Sequence, residues 1–336
     1  MRHESRTSWS VWSVASVVFA LLSLSVVSVA GQVEKSPSRV NSTVSGTSTV
    51  PRAPDGHPDL QGVWSFATLT PLERPSAFAG KETLTSNEAE EFAKQRLVSS
   101  NKDRRDGGGA ADVERAYNEF WWDFGTKATT QPSLVVDPPS GRIPALTAEA
   151  QQRQSQRQNL FDNPEDRPIS ERCILGFNSG PPMVPSAYNN NVQIVQTADH
   201  VVILNEMIHS ARIVPLSGRP HPTKDMRYLT GDSVGHWEGD TLIVDTTNFS
   251  KNGGFRGASA NLHLIERISR VDQGTLRYEF TIDDPATWTK RWTVSIPMSS
   301  TNELIYEYAC HEGNYALEGV LRGARHQEEA RQQSHK

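Results

Sequence analysis

The sequence lacks the features that most often identify a reaction. It has no His-Glu-x-x-His zinc motif, because His311-Glu312 is followed by Gly313, Asn314 and Tyr315 and the second imidazole is missing. Phosphate loop, dinucleotide fingerprint and calcium loop are absent as well. These absences turn the reading away from zincins and nucleotide enzymes, and no cofactor is expected. His209, His236, His263 and His311 lack the short paired spacing of a zinc site, so no metal is expected either. Positive charge is not in excess. Lys and Arg number 34 against 39 Asp and Glu, a formal net charge of −5, without the basic face that a nucleic-acid partner needs. Cysteine is scarce, with only Cys173 and Cys310. Beyond residue 30 no stretch is apolar enough to cross a bilayer, so no integral membrane segment is expected in the mature chain.

What is present first points outside the cytoplasm. Arg2, His3 and Arg6 form a basic start, Val11 to Val29 is apolar and uncharged, and Ser28-Val29-Ala30 offers a small-residue exit. This reads as a signal peptide over 1–30 cleaved after Ala30, and the mature protein is expected to be secreted or periplasmic. The residue after the cleavage point is not a Cys that could carry a lipid, and no twin arginine precedes the apolar run. In an oxidising compartment Cys173 and Cys310 are expected to form one disulfide, the alternative being two separate buried thiols.

Residues 31–57, rich in Ser, Thr and Val, read as a flexible leader. Residues 58–190 read as an irregular, Pro-rich segment with short helices packed on the following domain. Thr85 with Glu88 makes a capping box for a helix to about Leu97, Asp112 to Phe124 has helical spacing, and Thr147 caps a polar helix. From residue 191 the pattern becomes strands. Thr197-Ala198-Asp199, Glu238-Gly239-Asp240 and Asp272-Gln273-Gly274 read as hairpin turns. Leu276, Tyr278, Phe280 and Ile282 alternate with polar residues, as do Trp292, Val294, Ile296 and Met298, and Glu303 to Cys310 reads as a last strand. About eight strands with short turns describe an antiparallel meander over 191–315, expected to hide its edges as an up-and-down barrel of lipocalin-like type. A two-sheet sandwich is the alternative. Residues 316–336 read as a polar helix and tail.

Three polar clusters are candidates for the site. The first is Tyr188-Asn189-Asn190-Asn191, whose amides suit either a tight turn or the hydroxyls of a ligand at a barrel mouth. The second is His236-Trp237-Glu238 at a hairpin, with Asp232 and Asp245 nearby. Alternation sends His236 and Trp237 to opposite faces, and a Trp at a cleft edge can stack a sugar or aromatic ring. The third is the run from Tyr306 to Tyr315. There His311 could act as acid or base, oriented by Glu312 or Glu206, although a charged helix start explains the same residues. Glu206 and His209 end a hydrophobic strand and could line an opening. A Cys173–Cys310 bridge would bring the first and third clusters together.

The stretches Pro58-Asp59-Leu60-Gln61-Gly62-Val63-Trp64, Trp237-Glu238-Gly239-Asp240-Thr241-Leu242 and Tyr306-Glu307-Tyr308-Ala309-Cys310-His311-Glu312-Gly313-Asn314 resemble a family of secreted proteins from environmental bacteria that has no assigned activity. The resemblance implies export and a shared β-rich fold, and it assigns no catalytic residue. The reading is therefore a secreted hydrolase or lyase acting on a carbohydrate or aromatic natural product. His311, His236, Glu206 and Glu312 are its acid/base candidates. Trp237, Tyr188, Asn189, Asn190, Asn191, Glu238 and His209 are its binding candidates. The alternative is an extracytoplasmic protein that binds a small ligand without turning it over.

Overall fold

The computed structural model describes residues 50–336 apart from 115–118, 158–160, 252–254 and 335–336. The expected signal peptide and the leader before residue 50 lie outside the described residues. Within the described residues the chain is mainly β. Strands β1 (Gly62–Ser65), β2 (Val135–Asp137), β3 (Asn191–Gln196), β4 (His200–Asn205) and β5 (Ala211–Pro215) are followed by β6 (Asp232–Glu238), β7 (Thr241–Thr247), β8 (His263–Arg270), β9 (Thr275–Asp283) and β10 (Trp292–Thr301). All belong to one antiparallel sheet in the order β5-β4-β3-β1-β10-β9-β8-β7-β6, with β2 also paired to β10. Two meanders, β3 to β5 and β6 to β10, are thus joined by β1, which comes from the segment expected to be irregular.

The three expected hairpin turns are present, and the period-two pattern sets the register. On β9 and β10 the pairs Leu276 with Met298, Tyr278 with Ile296, Phe280 with Val294 and Ile282 with Trp292 face each other, and all eight are buried. A slip of one residue would expose both rows. Val192, Ile194, Val201, Ile203, Val214, Leu242, Val244, Leu264 and Ile268 from the other strands complete the same core. The sheet therefore has one inner face and one outer face.

Two expectations need correction. First, the sheet is not closed into a barrel: the ladder runs unbroken from β5 to β6, which rules out two separate sheets, but no ladder joins those two edges. Side chains fill the seam instead. A Cβ on Gly235 of β6 would lie 2.9 Å from Val214 Cγ1 of β5 and 2.7 Å from Leu216 Cδ2, so a larger residue there would have to push both methyls aside. Second, residues 302–309 are an irregular strap rather than a strand, although their alternation suits one. Their side chains do not sort into inner and outer faces: Leu304 and Tyr306 are exposed.

Helices α1 (Ser86–Ser100), α2 (Gly109–Glu114), α3 (Ala148–Arg157) and α4 (Ala316–Ser334) lie outside the sheet. Thr85 and Glu88 form the expected reciprocal cap of α1, and the Thr147 hydroxyl accepts from Ala150 N–H at the start of α3. Order begins before the expected end of the leader, because Arg52 pairs with Asp240 and His57 stacks on Trp237. Among the described residues no helix is long and apolar enough to cross a membrane.

A buried ion pair crosses the inner side of the sheet. Arg212 of β5 binds both carboxylate oxygens of Glu266 on β8, strands six steps apart in the sheet order. The Tyr278 hydroxyl donates to Glu266 Oε1 at 2.7 Å and accepts from Met183 N–H at 3.1 Å. Burial works against the Arg212 charge, and the Glu266 carboxylate more than offsets it, raising the Arg212 pKa. Burial also lifts the Tyr278 phenol well above its ordinary value, so it remains a donor. Arg212→Met should strand the Glu266 carboxylate in the core and cost about 3–5 kcal/mol, whereas Arg212→Met with Glu266→Leu should recover part of that loss. Urea unfolding measures both. A single-variant loss below about 1 kcal/mol would mean the pair does not hold the two halves together.

Candidate functional site

The outer face of β6, β7 and β8 carries a continuous chain of titratable side chains. Alternation points Asp232 of β6, Asp245 of β7 and His263 of β8 outward, while Ser233, Thr246 and Leu264 beside them point inward. The loop 217–231 lays His221 over this row. His221 Nδ1 lies 2.7 Å from Asp232 Oδ2, and His221 Nε2 lies 3.0 Å from Asp245 Oδ1. Asp245 Oδ2 then accepts from His263 Nε2 at 2.7 Å. Arg219 closes the far end with two hydrogen bonds to Asp232. The order is Arg219, Asp232, His221, Asp245, His263.

The loop is held in place by the backbone around it. Pro220 and Pro222 keep it out of helix and ladder. Asn248, in a left-handed conformation after β7, donates to the carbonyls of Thr223 and Met226 at 2.9 and 2.8 Å. Tyr228 N–H donates to Asn248 O, and Tyr228 O accepts from Ser250 N–H. His221 is thus pinned by its own loop and by a carboxylate at each ring nitrogen.

The electrostatics suit proton transfer at His263. Partial burial disfavours a charge on Asp245, but hydrogen bonds and charge from His263 and His221 prevail and hold its pKa below the ordinary 3.8. The same balance, with Arg219 foremost among the favourable partners, lowers Asp232. The Asp245 hydrogen bond raises His263 above 6.5 against its partial burial, with Asp283 on β9 adding its charge. With Asp245 ionised, His263 Nε2 carries a proton and Nδ1 is the nitrogen left for chemistry. His263 and His221 line a cavity of about 470 Å³ with Lys224, Arg227, Thr247 and Asn261. Among the described residues no group of three or more His, Cys, Asp or Glu side chains is placed to hold a metal ion.

The candidates read from the sequence sit elsewhere. Cys173 and Cys310 are bonded, with Cα atoms 5.6 Å apart. The bridge does bring the first and third clusters together. Tyr188 stacks on Tyr308 at 6.0 Å, Glu206 Oε1 accepts from Tyr306 N–H, and Glu206 Oε2 accepts from Asn191 at 3.0 Å. Burial pushes the Glu206 carboxyl up, against the pull of those hydrogen bonds and one from Asn189. Asn190 is fully buried and spends its amide on Asp123, Ser186 and Asn178. These groups tie the strap to the sheet. His311 is exposed in the turn before α4, and its imidazole has no side-chain partner among the described residues. Glu312 is exposed in the same turn and lines a smaller cavity beside the disulfide. His209 is exposed at the end of a single helical turn, Met207–His209. His236 lies 3.3 Å from Glu238 on the surface, with Arg267 beyond. Trp237 points inward as its spacing implies, but His57 already covers one ring face at 4.4 Å.

His221 gave no sequence signal, since a histidine between two prolines belongs to no period. Asp232 and Asp245 were visible only as neighbours of the hairpin. Placing them beside His263 needs the register through Gly239, which sets Val234 opposite Asp245 and leaves Asp232 one outward step away.

The depressed Asp245 and raised His263 values define a pH window. Asp245 contributes stability above 3.8 that is lost as pH falls through its lower folded value. His263 contributes stability below 6.5 that is lost as pH rises through its higher folded value. Asp245→Asn should therefore bring the His263 imidazole titration, followed by NMR, down from above 6.5 and narrow the window of maximal thermal stability. An unmoved His263 midpoint would show that Asp245 does not set its charge. Compared with family models, with curated proteins and with solved structures, the chain matches none.

Proposed function

We propose that this protein is a general acid/base enzyme of hydrolase or lyase type, working outside the cytoplasm on a carbohydrate, with His263 as the group that exchanges the proton. One observation carries the reading: an imidazole on a cavity wall has one nitrogen bound to a carboxylate that a second imidazole also grips. That arrangement fixes the tautomer and orientation of His263 and stabilises its protonated form after it takes a proton. Asp245 is the orienting carboxylate. His221, Asp232 and Arg219 keep it from turning away, so they act as positioning residues.

The cavity wall favours the carbohydrate over the aromatic alternative. Thr247 and Asn261 offer donors and acceptors for hydroxyl groups, and among the described residues no Phe, Tyr or Trp lines the space. Work outside the cytoplasm is supported by the internal disulfide, which suits an oxidising compartment.

A panel of oligosaccharides and aryl glycosides tests the proposal. His263→Gln should lower kcat/KM on the active substrate by about 10²–10⁴-fold while leaving the circular dichroism and melting profile near the parent's. His311→Ala should leave the rate unchanged. Full activity in the His263 variant, or loss confined to the His311 variant, would overturn the assignment.

A further inference from the structure

A second cavity adjoins the histidine site. It measures about 650 Å³ and is lined by Arg153, Lys251, Arg256, Ser259, Asn261 and Thr287 among others. The two cavities share Ala260 and Asn261. From the histidine side, Arg227 donates to the carbonyls of Ala260 and Phe249, so a guanidinium stands at their common wall. The rear of the larger cavity is rigid. Asp284, almost fully buried, accepts from Ser259 N–H, Ser259 Oγ at 2.8 Å and Thr287 Oγ1 at 2.6 Å. Arg153 braces the same wall through Thr287 Oγ1 at 3.0 Å and the Ala286 carbonyl.

The charges along this double cavity are unbalanced. Its basic residues are Arg153, Lys251 and Arg256 on one side and Lys224 and Arg227 on the other. Among the described residues the one carboxylate lining either cavity, Glu149, is paired with Arg153. Arg227 binds backbone carbonyls, Arg256 lies against the Phe255 ring, and Lys224 makes no ion pair among the described residues. Arg227, Arg256 and Lys224 thus stand at the cavity walls without an ion pair among the described residues, on a chain of net charge −5. Fixed cations at the walls of a cleft favour an anion there, and each charge-assisted contact strengthens as water is excluded.

We propose that the larger cavity is an anion subsite continuous with the histidine site, and that the protein's ligand is an acidic oligosaccharide whose carboxylates it receives. Two adjoining spaces of this size suit linked sugar units better than one small molecule, because each alone falls in the range of a ligand pocket. The inference rests on His263 marking the reacting end of the cleft. Arg256 and Lys224 recognise charge at opposite ends, and Arg227 holds the shared wall.

Calorimetric titration of the full chain with trigalacturonate and with neutral cellotriose tests this. Trigalacturonate should bind about tenfold more tightly or better, with an advantage that shrinks as salt rises. Arg256→Gln and Lys224→Gln, both exposed side chains, should each weaken trigalacturonate about fivefold to tenfold and leave cellotriose unchanged. Equal affinity for the two sugars, or an acid preference that both variants retain, would overturn the subsite. The two proposals fail separately. Tight trigalacturonate binding with no turnover by the wild type would sustain the subsite and sink the catalytic reading. Turnover of neutral glycosides that depends on His263, without an acid preference, would do the reverse.

Discussion

Arg212 and Glu266 hold together a sheet that hydrogen bonds alone leave open. A ladder of nine strands ending in two unpaired edges exposes a row of donors and acceptors on each side, and its curl is set only by twist and packing. The ion pair fixes β5 against β8 from within, and Tyr278 links it to the backbone at Met183. The pair is expensive to bury and stays only because each charge is met by the other and by further hydrogen bonds. Its structural value lies in specificity. Apolar side chains could pack the same interior with several curvatures, whereas a two-pronged guanidinium–carboxylate contact accepts one separation and one orientation.

That curvature determines what the outer face presents. Glu266 and His263 lie on the same strand on opposite faces, so the residue that anchors the interior also fixes the strand that carries the exposed imidazole. β7 is locked by β6 on one side and β8 on the other, and Asp245 at its outer face has both oxygens committed to histidines. The loop bearing His221 then needs only short-range clamps, which Asn248 and Arg219 provide. The disulfide serves the other side of the molecule. There it ties the strap 302–309 to the segment leading into β3, with Glu206 and the buried asparagines as its polar lining.

Much of the fold was legible because period-two alternation is a local signal. The rows from Leu276 to Ile282 and Trp292 to Met298, the three hairpin turns and the capped helix at Thr85 all follow from neighbours within a few residues. The expectation of an oxidising compartment made the Cys173–Cys310 bond the natural pairing of two cysteines. The failures have equally physical causes. Glu303 to Cys310 alternates like a strand, yet β1 occupies the edge of β10 that it would need, and Trp64 pairs with Ser300 there. β1 itself is four residues long, too short to announce itself. Closure of the sheet depends on contacts between its distant edges, and no local pattern encodes those. The candidate site divides along the same line. His263 and Asp245 lie on recognisable strands, but His221 arrives on a proline-rich loop and joins carboxylates 11 and 24 residues further on. The clusters that stood out in the sequence did so through density of polar residues, and in the fold that density largely serves turns and the strap.

The claim that His263 is the reacting group separates sharply from the competing histidines, because His311 and His236 are more exposed and have no carboxylate fixed between two imidazoles. Carbethoxylation of the native protein, with each histidine mapped by mass spectrometry while turnover of the proposed glycoside substrate is followed, tests this most directly. The account predicts that activity falls in step with modification of His263, that substrate slows both, and that modified His311 and His236 leave the rate intact. Activity that survives complete modification of His263, or that falls in step with His311 or His236 instead, would contradict it.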